Sequence, residues 1–156
     1  MSEFSVLDLS TEESVLVLTA VYQASPERIF EAWLNPEAIK KWVKPMPTCE
    51  TEVLKYDPHG SGEFAVHMHI EGEVYGYHGV FTQIDPPRRL EMTWTWDPTP
   101  NEPYPETYLV IEIEPSESGA RLTLTHSKVR SLESRNAQSE GWTGSLTQLA
   151  HYLQTS

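Results

Sequence analysis

The sequence predicts an α+β fold, a curved antiparallel meander of strands wrapped around a long amphipathic helix at the C-terminal end. Three observations lead there. Over residues 139–154, Trp142, Leu146, Leu149 and Leu153 fall on one narrow stripe at about 100° per residue, with Gly144, Thr147, Gln148 and His151 opposite. Residues 63–70 and 90–97 alternate with the two-residue period of a strand: Phe64, Val66, Met68 and Ile70 share one face, as do Leu90, Met92, Trp94 and Trp96. The breaks between such segments are mostly of hairpin length, which pairs neighbours antiparallel with one face solvated. Each apolar strand face needs a cover, and the C-terminal segment has the length to supply it.

Taken in order, residues 1–13 are read either as a loose arm or as an extension of the first strand. Residues 15–22 form that strand, with Val15, Val17, Thr19 and Val21 favouring extended backbone. Ser25-Pro26-Glu27-Arg28 starts a helix: a capping hydroxyl, a proline in the first turn, then an acid. Its apolar face is Ile29, Phe30 and Trp33. Asn35-Pro36-Glu37 repeats the signal, and a second short helix carries Ile39 and Trp42 before Pro45 and Pro47 end it. Strands follow at 48–56, 63–70, 74–84, 90–97, 107–114 and 120–126. They are separated by breakers such as Asp57-Pro58-His59-Gly60, Glu71-Gly72 and Asp85-Pro86-Pro87, and by the proline-rich 97–105 connection. Residues 129–138 read as a polar loop leading to the terminal helix. With no internal repeat, residues 1–156 are expected to form a single domain.

Composition narrows the function classes. A length of 156 residues supports a real core, and five Trp and seven Tyr are unlike a disordered acidic segment. A formal charge of -12 repels phosphate backbones and anionic lipid, so neither nucleic acid nor membrane is an expected partner. The lone Cys49 excludes an internal disulfide and a multi-cysteine metal site. No basic, apolar leader and no stretch of about 20 apolar residues stands out, and the expected location is cytoplasmic.

Few residues offer chemistry. His67 and His69 share a strand face with Glu63, opposite the apolar face, so both should point to solvent. No third ligand is identifiable, and no metal site is expected. His126 continues the inward set Leu122 and Leu124; it is read either as a satisfied core histidine or as a polar contact for a bound ligand. Cys49 reads as buried and unreactive. Phosphate-loop, nucleophile-elbow and zinc-protease motifs are missing, and no cofactor is expected.

Four strings give the chain a family likeness: Ala24-Ser25-Pro26-Glu27-Arg28-Ile29-Phe30-Glu31-Ala32-Trp33 with Trp42 beyond; Pro58-His59-Gly60-Ser61-Gly62-Glu63-Phe64; Ile84-Asp85-Pro86-Pro87-Arg88-Arg89-Leu90-Glu91-Met92-Thr93-Trp94; and Ala120-Arg121-Leu122-Thr123-Leu124-Thr125-His126 with Gly141-Trp142. In this order they resemble the SRPBCC superfamily, also called START-like or birch-pollen-allergen-like. The match is to the branch named after the activator of the 90-kDa heat-shock chaperone's ATPase. Where relatives commonly carry a double glycine before the third strand, this chain reads Gly60-Ser61-Gly62.

The resemblance implies a helix-grip fold, with a cavity between the sheet and the gripped helix. Trp42, Phe64, Met68, Met92, Trp94, His126, Trp142 and Leu146 are the expected lining. The leading expectation is therefore binding of a small hydrophobic or aromatic ligand. One rival is an interaction module that regulates a chaperone protein, as the eponymous relative does. Another is a cyclase- or hydrolase-like enzyme that uses His126 in the cavity. Monomer and homodimer are both compatible with the sequence.

Overall fold

Alternating burial along the strands sets the architecture of the computed structural model, which describes residues 4–99 and 103–155. The elements run β1 (Leu7–Asp8), β2 (Leu16–Tyr22), α1 (Pro26–Leu34), α2 (Pro36–Trp42), β3 (Glu50–Tyr56), β4 (Glu63–Ile70), β5 (Glu73–Asp85), β6 (Arg89–Trp96), β7 (Thr107–Ser116), β8 (Gly119–Ser127) and α3 (Leu132–Thr155). The strands form an eight-stranded sheet in the order β1-β2-β8-β7-β6-β5-β4-β3, and every pair is antiparallel. The run from β3 to β8 is the predicted meander. The chain enters at β2 beside β8 and crosses to the far edge through α1 and α2.

The two short helices form for the reasons the sequence offers. The Ser25 hydroxyl accepts from the Arg28 N–H at 3.2 Å. The Asn35 side chain accepts from the Glu37 N–H at 2.9 Å, and Pro36 occupies the first turn of α2. Inward strand positions then meet α3: Leu122 and Leu124 from β8, Leu109 and Ile111 from β7, and Leu146 and Leu149 from the helix are all fully buried. Polar contacts pin that helix at separate points. Tyr22 donates its hydroxyl to the Leu146 carbonyl at 2.9 Å, and Arg28 donates to the Leu153 carbonyl at 2.9 Å near the helix C-terminus, where a cation suits the dipole.

One reading needs correction, and one open alternative is narrowed. The terminal helix begins at Leu132, so most of the stretch read as a polar loop is helical. Ser131 accepts from the Ser134 N–H at 3.1 Å. Its first turns are largely exposed, and they lack the apolar stripe by which the rest was recognised. Nor is the described part of the N-terminal arm loose. Leu7 and Asp8 pair with Thr19 and Leu18, the Phe4 ring lies 5.0 Å from that of Tyr22, and the Ser10 hydroxyl accepts from the Val17 N–H.

Candidate ligand cavity

A cavity of about 290 Å³ opens between the inner face of β4–β6, the middle of α3 and the segment after α2. Met68, Tyr77, Trp94 and Trp142 are buried within its lining, while Met46 and Tyr75 are exposed and mark its rim. Strand parity delivers Met68 from β4, Tyr77 from β5 and Trp94 from β6 to one patch. Tyr77 stacks on Trp94 at 4.6 Å between ring centroids, and Trp96 meets Trp94 edge-on at 4.6 Å. From the helix, Gln138, Gly141, Trp142 and Ser145 share the face that looks onto these rings.

The remaining wall is the loop carrying Val43, Pro45 and Met46. It approaches α3 closely because residue 144 has no side chain: a Cβ there would lie 2.0 Å from the Pro45 carbonyl oxygen. Gly144, read from the sequence as part of the polar outer face, is thus a contact point between helix and loop.

Four residues in this lining carry polar groups. The Trp94 indole N–H is buried without a hydrogen-bond partner among the described residues. The Gln138 amide, the Ser145 hydroxyl and the Tyr77 hydroxyl also make no side-chain hydrogen bond among them, though all three residues are buried. Burial pushes the Tyr77 phenol far above its usual range, so it remains a neutral donor. Mostly apolar walls with a few unengaged polar groups are what fixes the orientation of a small ligand.

Of the expected lining residues, Met68, Trp94 and Trp142 border the cavity. Trp42, Phe64, Met92, Leu146 and His126 are buried in the core and do not line it. Trp42 is occupied elsewhere, donating its indole N–H to the Ala32 carbonyl at 2.9 Å. Phe64 joins an aromatic group with Tyr56, Tyr77 and Phe81.

Of the two readings of His126, its surroundings match the satisfied core histidine. Its side chain is fully buried and both ring nitrogens are engaged. The Trp142 indole N–H donates to Nδ1 at 3.1 Å, so Nδ1 carries a lone pair and Nε2 carries the hydrogen. Nε2 lies 2.6 Å from Thr107 Oγ1, which in turn donates to the Trp94 carbonyl. This chain of bonds ties α3 to β8, β7 and β6 with one direction for every proton. Burial drops the His126 pKa to about 3, so the ring is neutral at ordinary pH. In this arrangement both nitrogens are used within the protein, and the ring keeps no free lone pair or hydrogen for another group.

On the opposite face of the sheet, His67 and His69 point outward as strand parity predicts. The register places Glu52 of β3 directly across from His67, and one ligand atom each from Glu52, His67 and His69 lies within 4.8 Å of the others. The sequence showed no third ligand because Glu52 joins this group across a strand pairing. Gln138 was missed for a different reason: it lay in the segment taken for a loop. Once the helix is extended, Gln138 and Ser145 stand four before and three after Trp142, on one face.

Residues 23–154 match the model of the family described as Activator of Hsp90 ATPase homolog 1-like protein. Solved structures agree in fold. A protein from Chromobacterium violaceum is 24% identical with a TM-score of 0.81, covering 92% of this chain and 99% of that one. The AHSA1 protein from Silicibacter pomeroyi is 28% identical with a TM-score of 0.78, covering 90% and 98%. An AHSA1-like protein from Aeromonas hydrophila is 20% identical with a TM-score of 0.72, covering 90% and 92%. No curated protein matches the chain in sequence.

Proposed function

The chain belongs to the Activator of Hsp90 ATPase homolog 1-like family, and from that premise we propose that it binds a small aromatic or hydrophobic ligand with a polar end in the cavity between β4–β6 and α3. The fold supports a ligand-binding domain in general. The observation that carries the finer reading is an apolar cavity walled by Met68, Tyr77, Trp94 and Trp142, with the buried Gln138 and Ser145 side chains on its helix side. A ligand's polar end that bonds the Gln138 amide, the Ser145 hydroxyl or the Tyr77 hydroxyl would gain about 0.5–1.5 kcal/mol per bond. The cavity holds roughly ten waters at liquid density and lies at the small end of ligand pockets, which suits one or two fused rings.

Saturable quenching of Trp fluorescence by 2-naphthol, within a panel of mono- and bicyclic aromatics, tests the reading. A Cβ at Gly141 meets nothing within 4 Å, so Gly141→Leu starts a side chain in open space at the cavity wall. It should weaken binding at least tenfold without lowering the melting temperature. A panel without a saturable response, or one that Gly141→Leu leaves unchanged, rejects this site. A chaperone-regulating role of the kind the family description names would use the outer surface and survive Gly141→Leu.

A further inference from the structure

We propose that Glu52, His67 and His69 form a binding site for a divalent transition ion of the zinc class, on the face of the sheet turned away from α3. Two imidazoles and a carboxylate are a ligand set such ions favour, whereas calcium and magnesium prefer oxygen alone. The backbone brings the three together without a loop. His67 and His69 are two residues apart on β4 and so share a face, and Glu52 is the cross-strand partner of His67. His69 Nε2 already lies 3.0 Å from Glu52 Oε1. The ligand atoms span at most 4.8 Å. Ligands about 2.1 Å from a tetrahedral ion stand about 3.4 Å apart, a contraction that partly exposed side chains can make by small rotations.

A further feature is local to this site. Asp97, just past β6, reaches across β5 to place Oδ2 3.4 Å from His67 Nε2, while its Oδ1 lies 2.6 Å from His78 Nδ1. It can do so because residue 76, which pairs with His67, is glycine: a Cβ there would fall 2.2 Å from Asp97 Oδ2 and 2.8 Å from the His67 ring. A carboxylate at the second nitrogen of a ligating histidine orients the ring and raises its basicity; with Asp97 at Nε2, His67 would ligate through Nδ1, and Asp97 is the positioning residue in that arrangement. Three protein ligands leave the fourth position to water. The chain's formal charge of -12 raises the local concentration of cations.

The test uses the untagged full chain, stripped with chelator and titrated with Zn²⁺ against a chromogenic chelator, with Co²⁺ absorption as a second readout. The expected result is one ion per chain and a tetrahedral cobalt spectrum. His67→Ala and His69→Ala should each weaken binding more than about 100-fold, and Glu52→Gln at least about tenfold. Asp97→Asn should keep the cobalt spectrum while lowering affinity about tenfold or more, and Asp97→Glu should restore it. His59→Ala, in the β3–β4 turn, should change nothing. Melting in chelator reports whether each variant is folded. Should a variant fail to fold, zinc-dependent shifts of the His67 and His69 side-chain resonances in the unaltered chain decide instead. Zinc binding that survives loss of either histidine, or shifts confined to other histidines, overturns the assignment. So does an affinity no tighter than that of the His67→Ala variant.

Discussion

Replacing His126 with leucine should change how stability depends on pH. In the folded chain the ring is neutral, accepting from Trp142 and donating to Thr107, and it takes up a proton only near pH 3. In the unfolded chain an imidazole protonates near pH 6.5. Between those values the unfolded state binds more protons, so stability falls as pH falls, by about 1.4 kcal/mol per pH unit from this group. From pH 7 to pH 5 the loss is about 2 kcal/mol. His126→Leu removes that slope. At pH 7 it costs about 1–3 kcal/mol, because the Trp142 indole N–H is left buried without an acceptor, while Thr107 keeps the Trp94 carbonyl. The variant is therefore weaker at neutral pH, and the gap narrows by about 2 kcal/mol towards pH 5. Urea unfolding of both proteins at pH 7, 6 and 5, followed by Trp fluorescence, measures this directly. Comparing the two cancels the carboxylates, which titrate in both. Parallel pH dependences would refute the buried neutral imidazole.

Three further outcomes follow from the packing. Leu149→Ala should cost about 2–5 kcal/mol in denaturant unfolding, since this side chain is fully buried under the sheet; a change below about 0.5 kcal/mol would contradict its placement. Gly144→Ala should cost about 1–3 kcal/mol by pressing on the Pro45 carbonyl, whereas Gly141→Ala should gain about 0.5–1 kcal/mol from helix propensity alone, a contrast that paired thermal melts resolve. Ser145→Ala should leave stability within about 1 kcal/mol and weaken a polar-ended cavity ligand by about 0.5–1.5 kcal/mol, read by titration calorimetry.

The fold was legible because its strands alternate cleanly and its helices carry local start signals. Ser25-Pro26 and Asn35-Pro36 cap as expected, and Trp142, Leu146, Leu149 and Leu153 all face the core. The start of α3 was not legible, since its exposed first turns have no apolar stripe to betray them. The cavity was legible only in part. Parity shows that Phe64, Met92 and His126 face inward, but only tertiary packing decides which inward residues fill space and which border a void. His126 shows the limit plainly. Its burial follows from its neighbours along β8, yet its partners, Thr107 and Trp142, come from another strand and from the helix. Glu52 beside His67 and Asp97 beneath Gly76 are likewise products of strand register.

The most direct measurement of the central claim follows the Trp94 indole N–H in a two-dimensional proton–nitrogen spectrum while 2-naphthol is added. The Trp94 signal should move saturably as the probe packs against its ring in the cavity wall, and the Trp142 indole N–H, bonded to His126, should move less. Gly141→Leu should push the movement to at least tenfold higher probe concentration. An unmoved Trp94 signal under saturating probe, or equal shifts in the Gly141→Leu protein, would contradict a ligand site in this cavity.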